Sequence, residues 1–497
     1  MTAVVSIADR FRAALPPGET GDFDISGADR IGVPVVAADH VGPGLPQNGG
    51  MGYGHTAEVA RTGALGELAE QMVMHEHLRR RTPRRASYAQ LHRELGERGV
   101  VDPRALVLPA GTVVDDEQPR DWLPALRWRT GETVLVPAEF AATSGASLPG
   151  QDPAERLITI ISNGNGAGDT AERAVAHGLL ELLQRDGNGT EFRALDRGIV
   201  LDLDGVRDPV TLAVLDRMRQ AGIEVLPKLA STQFGLADVH VVGIDNDPDV
   251  DALAVTACGE AVHPDREVAL RKALLEYASA RSRKVFTHAP LERTRRLAPE
   301  SYWARVFSRE VAPQEPRALA ANRDWAGRSA AQLRALLEPS VLAKKSVTPF
   351  STLPTVAPGT LDDPAALLAE LLTRLAGFDV LVVLARAGDT ADVGGPAEAE
   401  SDVVVAKVIA PGLEVETMSY GRIGVRGVQK LMGRGLDLVG LGAPPHEGAH
   451  PVVLTAVGRL LLGDDAWLDR RAVDRLVDPL YPLYREPGRH IVARSTM

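Results

Sequence analysis

A mixed α/β fold of α+β layers, divided into more than one domain, is what the sequence predicts, and three observations carry that expectation. The chain has 497 residues, too many for one compact core of ordinary size. Extended β-branched runs alternate with stretches of helical period, the pattern of stacked strand and helix layers. One helical pattern also recurs three times in a fixed register, so internal repetition organises the N-terminal part of the chain.

The elements follow in order. Residues 7–15 make an amphipathic turn or two, ended by Pro16, Pro17 and Gly18. Residues 31–39 (IGVPVVAAD) read as a strand, with Pro34 tolerable at an edge or bulge. A glycine-rich stretch at residues 42–56 leads into a long helix over residues 57–81. Residues 156–164 (RLITIISNG) read as a β-branched strand that stops in a second glycine-rich turn, and residues 170–186 as the next helix. Strands are expected at residues 238–245 and 252–258, then a helix over residues 265–285. Residues 290–348 are charged, proline-bearing and helical. Residues 367–386 are helix then strand, and residues 403–416 are a strand ended by Pro411 and Gly412. From about residue 444 the tail reads as helical with a Pro- and Arg-rich end.

Composition excludes several classes of function. Lys plus Arg number 55 against 66 Asp plus Glu, a formal net charge of −11, which opposes a non-specific nucleic-acid coat. Hydrophobic residues at 44% and charged residues at 24% exclude disorder on a large scale. The single cysteine, Cys258, excludes an internal disulfide, a zinc–thiolate cluster and a Cys-ligated iron–sulfur centre. A reducing cytoplasm fits. No signal-length apolar run opens the chain, and no membrane span is expected. Glycines number 48 while aromatics are only 4%, which suggests backbone that turns tightly or approaches a ligand closely.

The repeat carries the chemistry. Its first copy is GYGHTAEVARTGALGELAE (residues 52–70) and its second GAGDTAERAVAHGLLELLQ (residues 166–184). They align without a gap at an offset of 114, with nine of nineteen positions identical. A third copy, EVALRKALLEYAS (residues 267–279), lies a further 95 residues on; it lacks the glycines but keeps E-x-A-x4-L-x-E. Each copy sets a glutamate at one place: Glu67, Glu181 and Glu276. Three residues on, along the same helical face, lie Glu70, Gln184 and Ser279. Carboxylates gathered at neighbouring helices repel unless a cation joins them. Mg2+ takes such oxygen ligands and usually also holds a nucleotide's phosphates. The G-x-G-[HD]-T segments add backbone N–H groups and a helix N-terminus, which favour phosphate. Arg185 and Arg281 are candidates to neutralise its remaining charge. A solvated face is the competing reading of any one glutamate, and the Walker A signature GK[ST] is absent.

Taken in order, these motifs resemble the YcaO family, ATP-dependent proteins that activate backbone amides in ribosomally made peptides. Gly32-Val33-Pro34-Val35, Gly50-Met51-Gly52 and the helix from Ala60 to Glu70 match its first hallmark. Ser162-Asn163-Gly164, Gly168-Asp169-Thr170 and the helix from Ala174 to Arg185 match its second, and Ala269 to Arg281 its third. Val405 to Glu414 match the late V-x-K-V-x-x-P-G-L-E segment, and Gly421-Arg422-Ile423-Gly424-x-Arg426 follows. The resemblance implies three strand–turn–helix units around a nucleotide site, with ATP and Mg2+ as cofactors. It implies Mg2+ at Glu67, Glu70 and Glu181, and nucleotide contacts from these and from Ser162, Asn163, Asp169, Arg173, Gln184, Arg185 and Arg281. The implied division is an ATP-binding region at 1–290, a helical insertion or spacer at 291–348, the rest of the first domain at 349–440, and a helical tail at 441–497.

The implied activity is a cyclodehydratase-type modification in the biosynthesis of ribosomal peptide natural products, antibiotics among them. Phosphorylation makes the amide oxygen a good leaving group, so azoline formation, amidine macrocyclisation and thioamidation are all open. The implied partners are a precursor peptide and a leader-binding, ubiquitin-activating-enzyme-like or TfuA-like protein. A homodimer is also open; neither nucleic acid nor membrane is expected. Four departures stand against the family pattern: Met51 in place of the GKG lysine, Arg173 where Glu is common, Gln184 at a metal position, and Gly63 where Ser is common. The chain also ends in RHIVARSTM and not in the Pro-x-Pro-x-Pro tail of many azoline-forming members, which tilts against the simplest azoline assignment. These departures keep a second reading open, a degenerate scaffold that binds leader peptide or a catalytic homologue. The basic run at Arg79–Arg81, Arg84 and Arg85 reads as a solvated helix end or a contact for an acidic leader. His55, His75, His77 and His177 are too scattered for a metal motif.

Overall fold

Four β-sheets with helices laid against them make up the computed structural model, which describes residues 5–43, 45, 48–247, 250, 252–308, 313–388 and 403–494. The mixture of helix and strand is as the alternating pattern predicts. The chain divides into two compact units. The first comprises Met1–Pro17, Ala69–Thr190 and Gly359–Asp474; the second comprises Gly18–Leu68, Glu191–Pro358 and Arg475–Met497.

In the second unit, Glu19–Asp24, Val35–Val41 and Asn48–Tyr53 form an antiparallel sheet with Val35–Val41 in the middle. Pro34 stands just ahead of that central strand, so its missing N–H costs no ladder bond. A five-stranded sheet runs in the order Cys258–His263, Ala237–Asp245, Ile223–Ser231, Ile199–Asp202, Ser346–Pro349. Ala237–Asp245 is buried along its whole length, and its Val239 and Val241 join Ala269, Leu270, Ala273, Leu274 and Tyr277 of the helix Arg266–His288 in one core.

The first unit holds a sheet ordered Arg84–Ala86, Arg120–Arg127, Leu381–Arg386, Val404–Ile409, Asn165–Gly168, with Thr133–Pro137 paired beside Arg120–Arg127. The late V-x-K-V segment thus pairs with the glycine strand of the second repeat, Ala406 opposite Gly166 and Lys407 opposite Asn165. A small sheet of Val439–Leu441, Ala466–Asp469 and Ala449–Pro451 follows.

The three long repeat helices form where expected: Ala57–Arg79, Ala171–Asn188 and Arg266–His288. Their starts share one device. Thr56 and Thr170 accept the backbone N–H groups of Val59 and Arg173, and Asp265 accepts that of Glu267. These three caps occupy equivalent repeat positions, and each satisfies a backbone donor that a helix end otherwise leaves unpaired.

Several strands lie elsewhere than the sequence suggests. The β-branched residues 156–164 form no strand; the strand is the glycine-rich Asn165–Gly168. Likewise Asn48–Tyr53, expected as part of a glycine-rich turn, is a strand. Residues 252–258 hold a short 3-10 turn at Ala252–Ala254, and the strand begins at Cys258. The tail from residue 444 contributes two strands as well as helices. Of the expected segments, residues 44, 46, 47, 309–312 and 495–497 lie outside the described residues.

Close packing against the repeat helices explains the glycine strands. A Cβ on Gly50 would run into the carbonyl of Ala64, one on Gly259 into that of Ala273, and one on Gly178 into that of Gly164. Gly50, Gly164 and Gly259 are equivalent under the 114 and 95 offsets, as are Ala64, Gly178 and Ala273. The third copy lacks the G-x-G glycines, with Ala261 and His263 in their places, but keeps the glycine two residues earlier, Gly259. The backbones approach here to a distance that leaves no room for a Cβ on Gly50, Gly178 or Gly259, and the helix partners at Ala64 and Ala273 are small.

Candidate functional site

Each repeat aims its glutamate at its own glycine-bearing segment, at the strand in the first and third copies and at the turn before the strand in the second. Glu67 Oε2 accepts the N–H of Met51 at 2.7 Å, Glu181 Oε2 that of Gly164 at 2.8 Å, and Glu276 Oε2 that of Glu260 at 3.1 Å. The contact recurs with a one-residue slip: Met51 and Glu260 are equivalent under the repeat offsets, whereas Glu181 takes the N–H of Gly164, the residue before the equivalent Asn165. A carboxylate held by a backbone donor is fixed in position, and carboxylate oxygens are the ligand type that a hard cation takes.

In the second unit, the first and third repeats share an electrostatic neighbourhood. Burial pushes the Tyr53 hydroxyl well above its ordinary pKa, and the charges of Glu276 and Glu67 push it further. Arg283 is the counter-charge: Glu486, then Glu276 and Glu67, hold its guanidinium firmly protonated against burial. It pairs with Glu486 at 3.1 Å. Sequence reasoning missed Arg283, which lies two residues beyond the family position; only its carboxylate neighbours single it out.

Arg281, expected beside phosphate, is placed otherwise. It is fully buried, with Asp29 at 2.8 Å and Asp245 at 2.7 Å, and it donates to the Ala254 carbonyl. Its donors are spent inside the second unit, so it is a structural residue in this fold.

In the first unit, the second repeat gathers most of the remaining candidates. Asp169 is held by Arg173 at 2.8 Å, with Arg10 at 3.8 Å. Partial burial raises the Asp169 carboxyl, but the Arg173 hydrogen bond and charge, helped by Arg10, hold it below the usual carboxylate range. Arg185 approaches Glu181 at 3.9 Å one helical turn away. Gln184 and Arg185 are half-buried at the same end of the helix, and Ser162 is exposed in the loop before it. Asn163 donates its side-chain amide to the Val415 carbonyl at 2.5 Å. Glu70 belongs to this unit, one helical turn beyond Glu67 on the helix that leads into it.

A second missed residue is Lys407. Its ammonium is buried and donates to the carbonyls of Asn163 at 2.6 Å and Ile161 at 3.0 Å. Burial pushes it down to about 8, with the Glu181 charge resisting. The late K-V-x-x-P-G segment was visible in the sequence, but nothing there connected its lysine to the S-N-G loop.

Among the described residues, no group of three or more His, Cys, Asp or Glu side chains is assembled as a self-sufficient metal cage. The donor chemistry still fits Mg2+, which keeps waters and is commonly bound through one or two carboxylates plus a nucleotide's phosphates. The basic run after the first helix is largely neutralised: Arg84 pairs with Glu94, Arg85 with Glu155 and Asp121, and Arg80 with Glu76. No helix among the described residues is long and apolar enough to cross a membrane.

Comparison with known proteins identifies the fold and the family. An uncharacterised protein of Methanothermobacter thermautotrophicus is 26% identical over 430 residues, 82% of this chain and 93% of that one. The solved structure of YcaO from Methanopyrus kandleri bound with AMPPCP and Mg2+ has a TM-score of 0.54 at 20% identity, covering 84% of this chain and 91% of that one. A heterocyclase in complex with substrate and cofactor has a TM-score of 0.58 at 17% identity, over 82% of this chain. This chain spans about half of that heterocyclase, 52%. The two structures share the fold. The sequence model of YcaO cyclodehydratases, described as ATP- and Mg2+-binding, matches residues 51–414, and on that match the chain belongs to the YcaO family.

Proposed function

We propose that the protein is an ATP- and Mg2+-dependent enzyme that activates a backbone amide of a ribosomally synthesised precursor peptide. The observation that carries this reading is the triplicated clasp, in which Glu67, Glu181 and Glu276 each accept a backbone N–H from the strand, or the turn leading into it, of their own repeat. Glu67, Glu70 and Glu181 would hold Mg2+, which supplies charge neutralisation for phosphoryl transfer when bound. Ser162, Asn163, Asp169 and Gln184 would border the nucleotide. Arg173 and Arg185 would face its phosphates, with Arg173 offsetting the charge lost at Met51. The amide oxygen, once phosphorylated, leaves as phosphate after a nucleophile attacks the amide carbon. The product is an azoline, an amidine macrocycle or a thioamide according to that nucleophile. A leader-binding partner protein fits such a role.

Calorimetric titration with ATP, with and without Mg2+, tests the cofactor step. Incubation with the precursor peptide tests the reaction, read by mass spectrometry as loss of one water or exchange of oxygen for sulfur. A degenerate scaffold that binds leader peptide is the second reading, and one contact favours it: Arg173 ties up Asp169 at the mouth of the second repeat helix. That reading expects peptide binding with no nucleotide binding.

A further inference from the structure

The S-N-G loop of the second repeat has to present one backbone N–H, that of Gly164, to Glu181. Nothing in its own sequence fixes it. Residues 162–164 form a turn outside any strand, and Gly164 has φ +88°, a conformation that few other residues adopt. The loop is held instead by the strand Val404–Ile409 and the residues after it. Val408 donates its backbone N–H to the Gly164 carbonyl at 2.8 Å. Val415 accepts from the Asn163 side chain at 2.5 Å. Lys407 supplies the remaining grip through Asn163 and Ile161, two carbonyls on either side of Ser162.

The setting makes that lysine costly. It is 4% exposed and lines a small cavity with Ile158, Leu182, Val408 and Leu413, and with the charged Glu139 and Arg422. An ammonium buried in this way persists only where its hydrogen bonds repay the desolvation. An apolar residue would fill the space at less cost to the fold, but it would leave both carbonyls without this donor.

We propose that Lys407 is a positioning residue for the nucleotide site: it clamps the Ile161–Asn163 segment so that the Gly164 N–H holds Glu181 in its ligating orientation. The proposal rests on the reading of Glu181 as a Mg2+ ligand. Its test separates the two by reading the loop and the ligand independently.

In the full-length protein, hydrogen exchange of the segment around Gly164 is compared between wild type, Lys407→Met and Lys407→Arg without nucleotide. Lys407→Met is expected to speed exchange there about tenfold, the size of a lost ~1.4 kcal/mol, while Lys407→Arg, which keeps the donors, restores protection. Unchanged exchange in Lys407→Met overturns the clamp. If Lys407→Met does not fold, Lys407→Gln replaces it, with partial loss of protection expected and full protection contradicting the proposal.

Mg-ATP affinity is then measured by calorimetry for Lys407→Met, Glu181→Gln and the double variant. Affinity about tenfold weaker in Lys407→Met, with no further loss when it is added to Glu181→Gln, supports action through Glu181. Additive losses overturn it. Absence of Mg-ATP binding in the wild type defeats the functional reading alone, since the exchange comparison still decides the clamp.

Discussion

Glu67 and Glu181 each accept a backbone N–H through one oxygen, and an amide side chain can do the same. Replacing either by Gln should therefore leave the apo melting temperature nearly unchanged while removing the Mg2+-dependent part of ATP affinity, checked by thermal melting and calorimetry side by side. Arg281 behaves oppositely. Arg281→Ala leaves Asp29 and Asp245 buried without their shared partner, and should cost about 3–5 kcal/mol of stability in chemical denaturation. Two of the buried histidines contribute to acid sensitivity. Burial pushes His263 down to about 4, where its Nδ1 accepts the Asp265 N–H, and His490 down to about 3, where its Nε2 meets the Tyr302 hydroxyl. Both are neutral when folded and take a proton near pH 6.5 when unfolded, so stability falls as pH drops below about 6.5. At pH 5 each should cost about 2 kcal/mol. Replacing His490 with Gln should flatten that acid slope in melts across pH.

At the scale of elements, the repeat helices were legible because E-x-A-x4-L-x-E fixes both a face and a register. Their caps at Thr56, Thr170 and Asp265 follow the same arithmetic. The glycine strands were not. Glycine has no side chain to favour a strand, and what makes Asn48–Tyr53 and Asn165–Gly168 strands is the nearness of a helix, a tertiary fact. The run at residues 156–164 misled for the converse reason. Its β-branched residues fill space, as Ile158 and Ile161 do beside Lys407, without entering a ladder. Gly50→Ala and Gly259→Ala test the packing: each drives a methyl into a helix carbonyl and should cost about 1–3 kcal/mol or more. Gly131→Ala, at a turn with open space around it but φ +75°, should cost only about 1 kcal/mol.

For the whole molecule, the mixed fold and the family were readable from motif order, and the division into units was not. The first repeat helix begins with the second unit and ends with the first, between Leu68 and Ala69, and no composition shift marks that point. Much of the candidate site was readable for a related reason: its glutamates lie in repeated helices. Arg283 and Lys407 were not, because their partners are far away in the chain, as Lys407 is from Asn163. The most direct measurement is the shift in stability of the intact protein with Mg-ATP. Binding at a site built from the clasped glutamates should add about 2.7 kcal/mol at a hundredfold excess over Kd, and Glu67→Gln or Glu181→Gln should abolish the Mg2+-dependent share. A melting temperature unmoved by saturating ATP and Mg2+, or a shift equally large in both glutamine variants, would contradict the proposed site.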